Sequence, residues 1–196
     1  MLILASGSAI RRQLLQEAGV PITTHPVAVD EDALRQHAEQ EGLSLRETAL
    51  ILARAKARAA SSAFPHRYIL AADQLLDLEG TAFAKARTME EARSHLLTLR
   101  GKTHALHTAL TLWKDGQESW AHSESPRLTM RSFSPAFLDA YLHKEGTALL
   151  ACVGCYRIEG MGIQLFHLIE GGHDAIAGLP LLPLLHALRE RKILPS

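Results

Sequence analysis

Apolar and polar positions along the chain fall into short blocks whose period changes from one block to the next. Residues 2–5 are a continuous apolar run, the pattern of a strand buried on both faces. The run breaks at Ser6-Gly7-Ser8 and gives way to Ile10, Leu14, Leu15 and Ala18, one face of a helix that Ser8 caps and Gly19 ends. Residues 22–29 predict a second extended segment, closing on the acidic turn Asp30-Glu31-Asp32. Ser44-Leu45-Arg46-Glu47 has the spacing of a capping box, so an alanine-rich helix is expected from there to Ser62.

Residues 68–72 are again strand-like and end at Asp73-Gln74. Thr88-Met89-Glu90-Glu91 repeats the capping-box pattern and opens a helix that closes near Gly101. Residues 103–113 and 118–130 read as two strands joined through Asp115-Gly116, a hairpin signal. Ser134-Pro135 starts another helix with proline in its first turn. Glycines then crowd the chain at Gly154, Gly160, Gly162, Gly171, Gly172 and Gly178, the mark of loops and short strands. Residues 183–192 predict a terminal helix. Strands alternating with helices, and one hairpin among them, give an α/β class with a mixed sheet. No repeat, linker or low-complexity tract divides the chain, so one domain over residues 1–196 is expected.

Composition narrows the function classes. The 196 residues are 47% apolar, an ordinary globular share that argues against disorder. Lys and Arg number 21 and Asp and Glu 21, so the formal net charge is zero. That balance excludes a broad nucleic-acid surface, which needs many cations to neutralise phosphates, but not a small anion held by a few local charges. The opening residues lack the basic and long apolar regions of a secretory leader. The richest apolar stretch, residues 176–185, is short and carries Pro180 and Pro183, so no membrane partner is expected and the cytoplasm is the default location.

Several residues have the chemistry of a site. Ser6-Gly7-Ser8 at a strand-to-helix turn, followed by Arg11-Arg12, offers small residues, hydroxyls and forked cations to phosphate oxygens. The competing reading is a capped surface helix with solvated arginines. Asp73 closes a buried strand, where open α/β sheets place ligands, and Glu31 follows another extended segment. Carboxylates from separate strand ends could hold Mg²⁺ between them, whereas each alone is an ordinary loop carboxylate. Lys56 and Lys85 are unremarkable in isolation. Cys152-Val153-Gly154-Cys155 is a CxxC without a second pair to complete a zinc site and without a helix after it, so it reads as two small packing residues. In His104-Ala105-Leu106-His107, strand alternation puts the two imidazoles on opposite faces.

Taken in order, these segments resemble the Maf family, the septum-formation-inhibitor-like nucleoside triphosphate pyrophosphatases. The resemblance runs from Leu2-Ile3-Leu4-Ala5-Ser6-Gly7-Ser8 and Arg11-Arg12-Gln13-Leu14-Leu15 through Val29-Asp30-Glu31, Leu52-Ala53-Arg54-Ala55-Lys56-Ala57 and Ala72-Asp73-Gln74. It ends at Glu159-Gly160-Met161-Gly162, Ile169-Glu170-Gly171 and Gly178-Leu179-Pro180-Leu181. Lys85 stands where the family has a lysine before a proline, here Ala86, and Ser8-Ala9 stands for the family's Ser-Pro. The resemblance implies an elongated two-lobed fold like that of inosine triphosphate pyrophosphatases, with a nucleotide in a central groove. It implies cleavage of a nucleoside triphosphate to monophosphate and pyrophosphate with a divalent cation, Mg²⁺ or Mn²⁺. By the same resemblance Asp73 accepts the proton of the attacking water; the chemistry of two carboxylates adds the expectation that Glu31 and Asp73 hold the metal. Lys56 and Lys85 join them as catalytic groups, and Ser6, Ser8, Arg11 and Arg12 bind substrate.

Within the family, Gln74 and Glu159 stand where thymidine/uridine-type members carry Thr and Gln, which is similar to the 7-methyl-GTP branch. A carboxylate at 159 could accept hydrogen bonds from the N1–H and 2-amino group of guanine. Ile10 occupies a place where that branch has an aromatic residue, making it a third specificity position beside Gln74 and Glu159. Ala151-Cys152 is a neutral pair, as in that branch, where many members have Asp-Lys. The readings that remain are a house-cleaning pyrophosphatase of 7-methyl-GTP type or dTTP/UTP type, a non-catalytic nucleotide-binding regulator of septum formation, and a CxxC redox or metal protein. A homodimer is among the assemblies open to it.

Overall fold

The computed structural model describes residues 1–195. Its strands are β1 (Leu2–Leu4), β2 (Ile22–Thr24), β3 (Tyr68–Leu78), β4 (Thr81–Phe83), β5 (Thr103–Lys114), β6 (Gln117–Glu124), β7 (Arg127–Met130) and β8 (Phe166–Glu170). Its helices are α1 (Ala9–Glu17), α2 (Glu31–Gln40), α3 (Leu45–Ser61), α4 (Met89–Leu99), α5 (Pro135–Glu145), α6 (His173–Ile176) and α7 (Leu181–Glu190). One mixed sheet of eight strands runs β2-β1-β3-β5-β7-β8, with β4 on β3 and β6 on β5. The β1–β2 and β1–β3 pairs are parallel, and every other pair is antiparallel. The mixed α/β class expected from the residue pattern is therefore observed.

Local chemistry explains most of the element starts. Ser8 accepts from the backbone N–H of Arg11 at the head of α1, and Ser134 does the same for Phe137 at α5. The capping box at Ser44 is complete: its hydroxyl accepts from Glu47 N, and the Glu47 carboxylate accepts from Ser44 N at 2.8 Å. At α4 only half forms, because Glu91 turns its carboxylate to the Arg87 N–H instead of Thr88. Asp115 and Gly116 have φ of 50° and 78°, the two positive values of a type I′ turn, and they close the β5–β6 hairpin.

Five expectations need correction. Only Ile22–Thr24 of the second extended segment pairs, because β1 is itself three residues long. Asp30-Glu31-Asp32 is not a free turn: Asp30 caps α2 by accepting from Ala33 N at 3.0 Å. Asp73 does not end its strand but stands midway along β3, which continues to Leu78 against β5. The long strand over 118–130 is split at Ser125-Pro126, since proline has no N–H to keep the ladder going. The terminal helix begins two residues early, at Leu181.

The apolar side chains gather into two regions. In the first, α3 packs Ala49, Leu52, Ala53, Ala57 and Ala60 on one sheet face, against Ile69, Ala71, Leu75 and Ala109. The opposite face carries Leu70, Ala72, Leu110 and Leu112 beneath Leu15 of α1 and Leu184 and Leu188 of α7. In the second, α4, α5 and the chain around 149–165 enclose Leu76, Leu106, Leu128, Met130, Phe133 and Tyr141. Both regions rest on β3 and β5, so these are two lobes on one continuous sheet. No helix among the described residues is long and apolar enough to cross a membrane.

Candidate active site

The first lobe brings three of the expected residues onto one point. Alternation along β3 puts Asp73 on the α3 face with Ala71 and Leu75. Lys56 reaches Asp73 from that helix; its ammonium bonds Asp73 Oδ1 and also lies 2.7 Å from Glu31 Oε1. Glu31 enters from the first turn of α2, where its negative charge also suits the helix dipole. Asp73 is buried, and the Lys56 side chain is 14% exposed. Two carboxylates from different elements thus converge with a lysine between them.

Arg35, which no sequence pattern singled out, completes this cluster. It stands one turn beyond Glu31 on α2 and binds Glu31 Oε2 at 2.7 Å and Asp32 Oδ1 at 3.0 Å. Glu31 is therefore held from both sides, one oxygen per cation. Burial pushes its carboxyl pKa up, but Lys56, Arg35 and Lys85 more than offset this and leave it below the ordinary value. The charge of Lys85, carried on the segment after β4, thus reaches Glu31 from the second lobe. Lys85 itself is exposed.

The two arginines divide their work. Adjacent helical residues differ by about 100° around the axis, so one turns in while the other turns out. Arg11 turns in: Nε donates to Gly178 O at 2.9 Å, and Nη1 donates to Ala72 O at 2.9 Å and Ser6 Oγ at 3.3 Å. Burial drives its guanidinium pKa below the usual range, against the opposing pull of Asp73 and Glu31. Arg11 thus ties the Ser6 turn, β3 and the loop before α7 together beside the carboxylates. Arg12 is exposed and its side chain has no ion pair or hydrogen bond among the described residues. Ser6 Oγ accepts from Ser8 N at 3.2 Å, which shapes the turn, while Ser8 Oγ is taken by its cap. Ile10 lies half-buried in the first turn of α1.

The specificity positions part company. Gln74 projects to the sheet face opposite Asp73, where its Nε2 donates to Thr108 Oγ1 at 2.7 Å and to the carbonyls of Ile176 and Ala175 at 3.0 and 3.2 Å. It fastens α6 to the sheet and does not meet the Lys56 cluster. Glu159 is exposed in the second lobe and accepts from Arg157 Nε at 3.1 Å. Burial raises the Cys152 thiol pKa; the charge of Glu159 adds to this, and Arg157 and Lys85 oppose it. The charges of both Glu159 and Lys85 reach Cys152, and that of Lys85 also reaches Glu31.

The remaining candidates stand outside the Lys56 cluster. Burial pushes the Cys155 thiol up to about 11, the reverse of a reactive thiolate, and the CxxC follows a 3-10 turn over Gly146–Ala151 without opening a helix. His104 and His107 do face opposite ways, His104 to Tyr156 Oη at 2.7 Å and His107 to Asp77 Oδ2 at 2.9 Å.

A divalent cation has a partial donor set here. No group of three or more His, Cys, Asp or Glu that could hold one exists among the described residues, and the point between Glu31 and Asp73 is filled by the Lys56 ammonium. Asp73 Oδ2 nevertheless accepts no hydrogen bond from the described residues. Oxygen donors of this kind suit Mg²⁺ or Mn²⁺ when phosphate oxygens and water supply the other positions. The residues therefore fit a cation that arrives with a polyphosphate and do not form a self-sufficient cage.

Comparison with known proteins adds the following. The family model described as Maf-like protein matches residues 1–191. The nucleoside triphosphate pyrophosphatase of Gluconobacter oxydans is 55% identical over 196 residues, 100% of this chain and 97% of its own length. The 7-methyl-GTP pyrophosphatase of Mesorhizobium japonicum is 46% identical over 188 residues, 96% of this chain and 94% of its own. A solved dITP/XTP pyrophosphatase from Mycobacterium abscessus aligns over 99% of this chain and 97% of its own, with 15% identity and a TM-score of 0.39.

Proposed function

The chain belongs to the Maf-like protein family, and from that premise we propose that it hydrolyses a nucleoside triphosphate to the monophosphate and pyrophosphate, with a 7-methyl-GTP-type substrate preferred. The observation that carries this reading is the Lys56 ammonium bridging Glu31 and Asp73. Cleavage between phosphates asks for positioning and charge neutralisation more than for a covalent partner. The cluster supplies both. Lys56 holds one oxygen of Asp73 and leaves Oδ2 to orient a water and take its proton. Arg12 and Lys85, both exposed, offset the polyphosphate charge. Arg11 and Ser6 act by shaping the turn that presents backbone N–H groups to the phosphates, and Ser8 by capping α1 there. When bound, a divalent cation held by Glu31 and Asp73 supplies further positive charge to the phosphate oxygens.

Base selection is assigned to the second lobe. Glu159 carries a carboxylate that suits the N1–H and 2-amino edge of a guanine, an edge thymine and uracil lack. Gln74 contributes through the loop it fastens, and Ile10 through the first turn of α1. The 46% identical relative named 7-methyl-GTP pyrophosphatase supports this choice.

Pyrophosphate release with Mg²⁺ or Mn²⁺ across 7-methyl-GTP, GTP, dTTP, UTP and CTP tests the reading. The expected order places 7-methyl-GTP first, and Glu159→Gln with Gln74→Thr moves selectivity toward pyrimidines. A parent preference for dTTP or UTP refutes the substrate assignment while sparing the reaction. Near-normal turnover by Asp73→Asn would refute the assigned mechanism.

A further inference from the structure

Beyond the nucleotide groove, a hydrogen-bonded chain of three side chains lies farther along the same sheet face. The β3–β5 register pairs Leu75 with His107 and Asp77 with Ala105, so Asp77 and His107 are diagonal neighbours on the face that carries Asp73. Asp77 Oδ1 accepts from the Gly80 N–H at 2.7 Å, which fixes the carboxylate. Its Oδ2 lies 2.9 Å from His107 Nε2, and His107 Nδ1 lies 2.8 Å from Ser125 Oγ. A carboxylate can only accept, so Nε2 carries the ring hydrogen and Nδ1 presents its lone pair. The Ser125 hydroxyl must then donate to Nδ1. Orienting carboxylate, imidazole base and hydroxyl stand in the order that activates a serine.

The group stands apart from Asp73 and is partly exposed. Asp77 is four residues from Asp73 on an extended strand, about 13 Å at the usual rise. Side-chain exposure is 14% for His107 and 24% for Asp77, and Ser125 is half-buried. The register continues Asp77–Ala105–Arg127 across three strands. Arg127 therefore shares this face across the small Ala105; it is exposed and forms no ion pair among the described residues. A guanidinium there can offset charge developing on an acyl oxygen.

We propose that Asp77, His107 and Ser125 form a second reactive site, at which Ser125 takes an acyl group from small activated esters. Ser125 Oγ attacks the ester carbonyl and its proton passes to His107 Nδ1. The bond to the leaving alcohol breaks, the alcohol departs with that proton, and Ser125 is left esterified. Water, deprotonated by the same nitrogen, then releases the acid and restores the hydroxyl.

The full-length chain incubated with p-nitrophenyl acetate tests this, following nitrophenolate release and mapping the acetylated residue by mass spectrometry. The expected result is acetyl on Ser125, with Ser125→Ala and His107→Gln each slowing release about 100-fold, the scale of a lost general base. Asp73→Asn keeps the acetylation, and Ser125→Ala keeps pyrophosphate release, so failure here and failure of the groove reading give different results. Should His107→Gln unfold, labelling of the folded parent at Ser125 by a fluorophosphonate, lost on heating, supplies the second measurement. Acetyl found on other residues, ester turnover unchanged in Ser125→Ala, or no fluorophosphonate on Ser125 would each overturn the proposal.

Discussion

Replacing Arg11 separates a guanidinium that holds the fold from one that only meets solvent. Arg11 donates to two backbone carbonyls, Gly178 O and Ala72 O, each at 2.9 Å, and more weakly to Ser6 Oγ at 3.3 Å. Hydrogen bonds to charged groups contribute about 1.5–3 kcal/mol each, so the two short ones give about 3–6 kcal/mol. The desolvation that depresses the guanidinium pKa offsets part of this, leaving about 2–4 kcal/mol lost in Arg11→Met. Arg11→Lys keeps the charge but not the fork, and should lose about half as much. Arg12→Met, at an exposed position, should stay within about 0.5 kcal/mol of the parent. Urea unfolding followed by circular dichroism measures all three, with the midpoint shifting and the slope constant. If Arg11→Lys and Arg11→Met both unfold with the parent, Arg11 does not hold the turn, β3 and the Gly178 loop together.

Three further outcomes follow from the same structure. Lys56→Gln removes the main offset to Glu31 burial, so the acidic limb of the pH–activity profile should move to higher pH; an unmoved limb argues against Glu31 in the cluster. In the parent, the lowered Glu31 value means its stabilising contribution is present above pH 4.5 and is lost as pH falls through the folded-state value. Burial lowers the His104 imidazole from 6.5 to about 4, so the unfolded chain takes up a proton first and stability declines as pH drops from 6.5 to 4, by about 3 kcal/mol. His104→Gln, which still offers Tyr156 an amide, should flatten that slope in urea titrations at several pH values. A Cβ added at Gly162 would lie 2.4 Å from Arg157 O, so Gly162→Ala should lower Tm by roughly 3–10 °C and disturb base selection through Glu159. Unchanged melting would mean the loop yields freely.

What could be read from the residues tracked how local the deciding interaction is. The Ser44 capping box and the Asp115-Gly116 turn are set within four residues, and both were legible. The helix α2 was not, because it buries only Ala38 and leaves no apolar stripe to count. The β3 strand extends past Asp73 because β5 pairs with it from Tyr68 to Asp77, a partner thirty-odd residues away that alternation alone does not name. Lys56, Asp73 and Glu31 each carry a legible chemistry, but their meeting depends on how α3 crosses the sheet. Arg11 and Arg12 looked equivalent in sequence, although their angular separation on the helix already required different surroundings. Arg35 has a signal in its spacing of four from Glu31, which has meaning only once that segment is a helix.

The length of β3 and β5 bears on how the enzyme can move. Eleven and twelve residues long, they pass without interruption beneath both cores, and Asp73 sits at the midpoint of the first. Neither strand is broken by a connector at which the walls could swing. Any narrowing around a nucleotide must come from added torsion along these two ribbons, distributed over many backbone hydrogen bonds. The midpoint of a twisting ribbon is displaced least, so Asp73, already bonded to Lys56, would stay fixed while Lys85 on the other lobe approaches it. The same continuity couples the two cores, so they should melt together in one cooperative transition.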